Sequence, residues 1–147
     1  MKILFLDIDG VLSLDHKTLN DICIKNLKKI VDQTGCAIVL SSDWRLYPHM
    51  LALISNTFTA NQIPQIIGQT PDLWKNKFLG KGPVPRYKEI QMWLKTNDLW
   101  SKSIKYAIVD DDLSARMPHL KTNYFRTWYS KGLSDKVTDA IIVYLNE

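Results

Sequence analysis

The sequence predicts an α/β fold, a three-layer sandwich in which helices cover both faces of a central, mainly parallel sheet. Short continuous apolar runs, typical of strands buried on both faces, alternate along the chain with longer segments whose apolar residues recur at helical spacing. The length of 147 residues suits one domain, which we expect to span residues 1–147.

The predicted strands differ in how clearly the sequence marks them. Three are apolar runs, at residues 3–6, 36–40 and 104–109, and the first of them is continuous. Two shorter strands are expected at residues 66–67 and 122–125. The first of these lies in the region 55–85, where prolines and a Gly80-Lys81-Gly82 cluster indicate loops.

The first predicted helix covers residues 18–34. Its apolar face would contain Leu19, Ile22, Cys23, Leu27, Ile30 and Val31. Thr18 with Asp21 resembles a capping pair at its start, and Gly35 would end it.

Three further helices are predicted, from residue 44 to about 54, at 86–95 and at 135–146. Pro85 directly precedes the second of these and Ser134 would cap the third. Trp93 and Tyr144 fall on apolar stripes, so we expect both in the core rather than on a binding surface.

Composition limits the classes of function. The net charge of +4 permits an anionic substrate, and no apolar run approaches the ~18 residues of a membrane span. Only two residues precede the first strand, so we expect no export signal and a cytoplasmic location. Cys23 and Cys36 both lie in apolar settings, which favours two buried, reduced thiols over a disulfide or a metal pair.

Polar residues follow three of the apolar runs. Asp7 and Asp9 follow the first, Ser41 and Ser42 the second, and Asp110 to Asp112 the later one. In open parallel sheets ligands bind beyond the carboxyl ends of the strands, so these side chains are expected to converge. Crowded carboxylates raise one another's pKa unless a cation lies among them, and a hard divalent ion such as Mg²⁺ prefers oxygen ligands. Acids that merely cap turns would explain one cluster alone, but two clusters plus Ser41 favour a metal site.

These residues resemble the motifs of the haloacid dehalogenase (HAD) superfamily of phosphotransferases. The run Asp7-Ile8-Asp9-Gly10-Val11 is similar to its first motif, and Ser41 after an apolar strand is similar to its second. Arg86 or Lys88, opening a helix, resembles the basic third motif, and Asp110-Asp111 resembles the fourth.

The resemblance implies a role for each acid. Asp7 would attack phosphorus to form an aspartyl-phosphate, while Asp9 would protonate the leaving oxygen and then activate water. Mg²⁺ would be held by Asp7, by the backbone carbonyl at Asp9 and by an acid of the fourth motif, with Asp111 the first choice. Asp110 would then orient the basic residue or a metal-bound water.

Phosphate oxygens would be bound by hydroxyl and basic groups. The resemblance implies that Ser41, with Ser42 beside it, donates a hydroxyl. Arg86 and Lys88 point about 200° apart on a helix, so at most one reaches the phosphate. We prefer Arg86, nearest the helix start and able to bind two oxygens, with Lys88 in reserve.

A narrower resemblance concerns the substrate. The segments 41–45, 68–71, 86–94 and 132–133 are similar to a small HAD group associated with RNA-repair proteins. This implies a phosphatase acting on a nucleotide or polynucleotide end, with Arg45 either a second phosphate contact or an exposed helical charge. Only 33 residues separate Asp7 from Ser41, which leaves no room for a cap domain there, so the open site would accept a large substrate or be covered in a homo-oligomer.

Two other functions remain open. The same acids could form a metal-dependent nuclease site, in which water is the nucleophile. The fold could also be a non-catalytic binding or regulatory module, although such a module gains nothing from crowded carboxylates. The principal expectation is a Mg²⁺-dependent phosphomonoester hydrolase whose partner is a phosphorylated small molecule or a nucleic-acid end, without a membrane.

Overall fold

A computed structural model of the chain describes residues 1–74, 83–100 and 102–147. Its five strands form one parallel sheet in the order β3-β2-β1-β4-β5. The strands are β1 (Lys2–Leu6), β2 (Ala37–Leu40), β3 (Gly68–Gln69), β4 (Lys105–Asp110) and β5 (Tyr124–Arg126). The glycine and lysine cluster at residues 80–82, which the sequence assigns to a loop, lies outside the described residues.

Helices cover both faces of this sheet. They are α1 (Asp21–Thr34), α2 (Pro48–Ala60), α3 (Arg86–Thr96) and α4 (Asp135–Asn146). Side chains alternate along β1, so Leu4 and Leu6 pack in a core with α1, α2 and α4, whereas Ile3 and Phe5 pack in a second core with α3. The predicted three-layer α/β fold is therefore confirmed.

The second predicted helix is placed wrongly. Residues Asp43–Leu46 form a short 3₁₀ turn, and α2 starts only at Pro48 and continues to Ala60. Ser42 caps the turn by accepting from the Trp44 backbone N–H at 3.2 Å. Proline at the first helical position starts a new helix, because it lacks the N–H that would otherwise go unpaired there. The short third strand likewise lies at Gly68–Gln69 rather than at 66–67.

The start of α1 also differs from the prediction. Asn20 is the cap, and its side-chain oxygen accepts from the backbone N–H groups of Ile22 and Cys23 at 3.0 and 3.1 Å. Thr18 instead belongs to a turn held by Asp15, whose carboxylate accepts from both the Thr18 N–H and its hydroxyl. Ile22 is 68% exposed, so it is not part of the buried face.

Other local predictions are confirmed. Gly35 ends α1 in the left-handed conformation at φ 66°, and Ser134 caps α4. Cys23 and Cys36 are buried free thiols, and burial raises the pKa of both. Trp93 is buried, whereas Tyr144 is partly buried and packs against the core. Within the described residues, no helix has both the length and the apolar character needed to cross a bilayer.

Gly35 and Gly132 have similar φ angles but different surroundings, so together they test how tightly the chain packs around Gly132. Gly132 has φ 62°, and a Cβ there would lie 2.7 Å from the Val11 carbonyl and 2.8 Å from the Cys23 sulfur, whereas a Cβ at Gly35 would meet nothing within 4 Å. Gly35→Ala should cost about 1–2 kcal/mol of unfolding free energy from the left-handed angle alone. Gly132→Ala should cost about 1–3 kcal/mol more through overpacking. Urea unfolding measures both, and equal losses would contradict this packing.

Candidate active site

The candidate site lies at the carboxyl edge of the sheet, where three neighbouring strands end. Leu6 of β1 is in register with Leu40 of β2 and Val109 of β4, so the residues that follow them emerge side by side. The Asp7 N–H donates to the Val109 carbonyl at 3.1 Å, and the Ser41 N–H donates to the Leu6 carbonyl at 3.0 Å. These bonds extend the strand pairing by one residue and fix Asp7 and Ser41 at the edge.

Three carboxylates meet at this edge. Asp7, Asp110 and Asp111 each offer an oxygen, and the three oxygens all lie within 4.8 Å of one another. Asp7 and Asp110 are buried, while Asp111 is partly exposed. Segments about a hundred residues apart in the sequence therefore share one cluster, as the strand-end pattern predicts.

Gly10 permits this approach. The backbone turns after β1 because the Ile8 carbonyl accepts from the N–H groups of Val11, Leu12 and Ser13 at 2.8–3.0 Å. Gly10 lies in this turn with φ 76°, and a Cβ on it would lie only 2.4 Å from an Asp111 carboxylate oxygen. A side chain at residue 10 would therefore push Asp111 away from Asp7.

Arg86 supplies the positive charge nearest the acids. It is the first residue of α3, and its Nη1 lies 3.1 Å from Asp7 Oδ1 and 2.8 Å from Asp110 Oδ2. Burial alone would lower the pKa of Arg86, but the charges of Asp110 and Asp7 outweigh burial and the pKa is raised. Lys88, the reserve candidate for this basic role, is exposed.

One arginine does not neutralise the cluster. Burial raises the pKa of Asp7 well above its ordinary value, and the charge of Asp110 raises it further, although Arg86 opposes both effects. Burial likewise raises the pKa of Asp110 against the opposing charge of Arg86. The two acids are therefore held in an environment that penalises their ionised forms, as expected of carboxylates that share a cation.

The donor set fits a hard divalent cation. The three acids provide oxygen ligands only, as Mg²⁺ prefers. Both carboxylate oxygens of Asp110 already accept hydrogen bonds within the chain. Its Oδ2 accepts from Arg86, and its Oδ1 accepts from the Asp112 N–H at 2.9 Å. Asp7 and Asp111 are then the carboxylates best suited to hold the ion. The Ser41 hydroxyl is buried and has no hydrogen-bond partner in the described part of the chain, so it can donate to a bound anion.

Asp9 is not one of the three clustered acids, and its carboxylate contacts two other side chains. Its Oδ1 accepts from the Trp44 indole N–H at 3.0 Å and lies 3.2 Å from His16 Nδ1. The sequence interpretation missed both residues, since it took Trp44 for the start of a helix and assigned no role to His16. Neither has a periodicity or spacing that links it to Asp9. One third of the Asp9 side chain remains exposed to solvent.

Two residues expected to bind phosphate make contacts within the chain. The Ser42 hydroxyl is engaged in capping the 3₁₀ turn. The Arg45 side chain is 1% exposed, and all three of its guanidinium nitrogens are bonded within the chain. Its acceptors are the backbone oxygens of Ser41, Ser42, Thr70 and Pro71 and the carboxylates of Asp43 and Glu89. Arg45 is therefore neither an exposed helical charge nor free to bind a phosphate.

Glu89, the partner of Arg45, is a third residue that the sequence interpretation missed. Glu89 is buried, accepts from Arg45 at 2.9 Å and also accepts from the Leu73 N–H at 3.0 Å. Burial raises the pKa of Glu89, while those two partners oppose the rise. Because Glu89 lies one turn after Arg86 on α3, this ion pair helps to fix the helix that carries Arg86.

A substitution distinguishes a structural role for Arg45, as the partner of Glu89, from a role in binding phosphate. Arg45→Met should lower the unfolding free energy by about 3 kcal/mol, because it leaves the Glu89 carboxylate buried and unpaired. Adding Glu89→Met should recover part of that loss, and the exposed Lys88→Met should be nearly neutral. Chemical denaturation of the four proteins checks this. Unchanged stability with a raised KM for a phosphorylated substrate would instead indicate that Arg45 contacts phosphate.

Comparisons with known proteins agree with this fold. Residues 3–137 match the family described as the HAD domain in Swiss Army Knife RNA repair proteins. A search of the curated proteins finds no significant match. Among solved structures, the chain is similar to one assigned to the HAD superfamily (subfamily III A) of hydrolases, from Legionella pneumophila. That similarity has a TM-score of 0.50 at 17% identity and covers 99% of this chain and 84% of the other, which bears on the fold alone. The chain thus belongs to the HAD domain family of Swiss Army Knife RNA repair proteins.

Proposed function

We propose that the protein is a Mg²⁺-dependent phosphomonoester hydrolase that acts through an aspartyl-phosphate on Asp7. The observation that carries the proposal is the meeting of Asp7, Asp110 and Asp111 within 4.8 Å at the carboxyl edge of the sheet, beside Arg86. Membership in a HAD family supports a hydrolase. Crowded, buried carboxylates beside an arginine are typical of catalytic sites, which favours a hydrolase over a non-catalytic binding module.

Asp7 is the nucleophile in this proposal. One carboxylate oxygen forms a bond to phosphorus while the bond from phosphorus to the ester oxygen breaks. Asp9 gives its proton to the departing oxygen, then removes a proton from a water molecule, and that water attacks phosphorus to release phosphate and restore Asp7. The Trp44 and His16 contacts hold the Asp9 carboxylate in one orientation for both proton transfers.

The phosphate group would lie among the remaining donors. Ser41 offers its unpartnered hydroxyl, and Arg86 offers the fork of its guanidinium. Mg²⁺, when bound by Asp7, Asp111 and the backbone carbonyl at Asp9, supplies the charge neutralisation that lets a carboxylate approach a phosphate dianion. Asp110 would keep Arg86 in place, given their 2.8 Å contact.

The substrate class follows from access to the site and from the family. Between Asp7 and Ser41 the chain forms a loop, α1 and β2, with no inserted domain in that segment. The absence of an insertion there suits a bulky phosphomonoester, and the RNA-repair family favours a nucleotide or polynucleotide end over another phosphorylated small molecule. The cytoplasmic location and a homo-oligomer that covers the site stay predictions.

Trapping the intermediate distinguishes the hydrolase from a nuclease. Phosphate release from a phosphorylated oligonucleotide with Mg²⁺ should fall at least about 10³-fold in Asp7→Asn, because the nucleophile is lost. Mass spectrometry of the acid-quenched wild type should locate a phosphate on Asp7. The exposed Asp139→Asn is the matched control and should retain full activity. Internal cleavage of the oligonucleotide without a phosphorylated aspartate would indicate a nuclease, and no turnover of any phosphomonoester would favour a binding module.

Metal affinity tests the assignment of Asp111. Asp111→Asn should weaken Mg²⁺ binding by at least about tenfold in calorimetric titration, because it removes a charged oxygen ligand. Asp112→Asn is the neighbouring control, since Asp112 caps the next turn by accepting from the Ser114 N–H at 2.8 Å. Equal affinity in the Asp111 variant and the wild type would contradict the assignment.

A further inference from the structure

A groove of 710 Å³ runs along the free edge of β5 and the start of α4. Its lining contains three basic side chains and one acidic side chain, Arg126, Lys131, Lys136 and Asp135. All four are exposed, so the groove presents net positive charge to solvent. Such a surface suits an anionic chain better than an apolar or acidic partner.

Aromatic rings border the same groove. Trp128 lines it and is 61% exposed, and the Arg126 guanidinium lies 4.5 Å from the centre of its ring. Tyr129, the next residue, is 37% exposed and lies against His16 with ring centres 5.1 Å apart. An exposed tryptophan beside cations is the combination that binds single-stranded nucleic acid, because bases stack on the ring while basic groups contact the backbone.

The groove lies beside the strand end that carries Asp110, because the hydroxyl of Tyr124, which lines the groove, donates to the Asp110 carbonyl at 3.3 Å. Arg126 is in register with Asp110, and the Thr127 N–H donates to the Asp110 carbonyl at 3.1 Å. The Thr127 hydroxyl donates to the Gly10 carbonyl at 2.6 Å. Tyr129, which follows Trp128, contacts the ring of His16, and His16 Nδ1 lies 3.2 Å from Asp9 Oδ1.

The turn that carries Trp128 is fixed in place. The Trp128 carbonyl accepts from the N–H groups of Lys131 and Gly132 at 2.9 and 2.8 Å, and the Leu133 N–H donates to the Val11 carbonyl at 2.8 Å. The ring is thereby presented from a tight turn tied to the loop after β1. Since β5 lies two strands from β1, its backbone is about 10 Å from that of β1, which is a distance that the nucleoside attached to a phosphate at Asp7 can span.

We propose that this groove binds the terminal nucleotides of a single-stranded nucleic acid whose end phosphate lies at Asp7. Trp128 stacks on a base, and Lys131 and Lys136 contact the sugar–phosphate backbone. The inference rests on the proposed hydrolase function and deepens it, since it assigns the substrate to polynucleotide ends rather than to small phosphomonoesters.

Binding is measured first, without turnover. Affinities are measured by fluorescence anisotropy in the Asp7→Asn protein, which binds without turnover. The ligands are single-stranded hexanucleotides that carry a phosphate on the 5′ or 3′ end and a dye on the other end. Trp128→Ala should lower the affinity about tenfold for at least one of the two polarities. Lys131→Ala and Lys136→Ala should each reduce the slope of the logarithm of the binding constant against the logarithm of the salt concentration by about one. Trp100→Ala, at the opposite end of the sheet before β4, and Lys25→Ala on α1 are the matched controls and should leave binding unchanged.

Turnover then separates this inference from the function on which it rests. In the otherwise wild-type protein, Trp128→Ala should lower kcat/KM about tenfold for the phosphorylated hexanucleotide and leave p-nitrophenyl phosphate hydrolysis unchanged. If the wild type hydrolyses both substrates and Trp128→Ala has no selective effect, the inference that the groove binds nucleic acid is wrong, while the hydrolase proposal is retained. If no phosphomonoester is hydrolysed, the hydrolase proposal fails, and the anisotropy comparison still decides the groove. A variant that changes only the sedimentation of the protein, not oligonucleotide binding, would show the groove to be an interface between copies and overturn the inference.

Discussion

The site depends on three acidic side chains that meet beside one arginine at the end of a buried sheet. Asp7 and Asp110 are both in contact with Arg86, and Asp111 completes a cluster with more negative than positive charge. Burial raises the pKa of Asp7 and of Asp110. A divalent cation would relieve that penalty, so under the proposed function the cost of burying these groups would favour binding of the metal.

Several parts of the fold serve this one arrangement. The parallel register of β1, β2 and β4 brings Asp7, Ser41 and Asp110 to the same edge. Gly10 leaves the space that Asp111 fills, and the buried pair of Arg45 with Glu89 anchors the helix that begins at Arg86. The loop after β1 is tied to β5 through Thr127, which links the acids to the basic groove.

The sequence predicted what depends on regular patterns and missed what depends on single long-range contacts. Apolar runs and helical spacing predicted the α/β fold, and acids placed after strands predicted the cluster, because strand order and chain direction bring those ends together. The same patterns placed α2 and β3 wrongly, since Pro48 and the Ser42 cap decide the boundary there. Trp44, His16 and Glu89 gave no signal, because each acts through a side-chain contact with a residue 7 to 44 positions away. Arg45 was misassigned for the same reason, since the carbonyls that surround it are recognisable only in the folded chain.

A crystal structure of the protein grown with Mg²⁺ and fluoroberyllate tests the central claim most directly. The account predicts beryllium bonded to a carboxylate oxygen of Asp7, with the metal ligated by Asp7 and Asp111 and the fluorides contacted by Ser41 and Arg86. A metal bound away from these acids would contradict it. So would a structure in which Arg86 keeps its contacts with Asp7 and Asp110 and neither Mg²⁺ nor fluoroberyllate is bound.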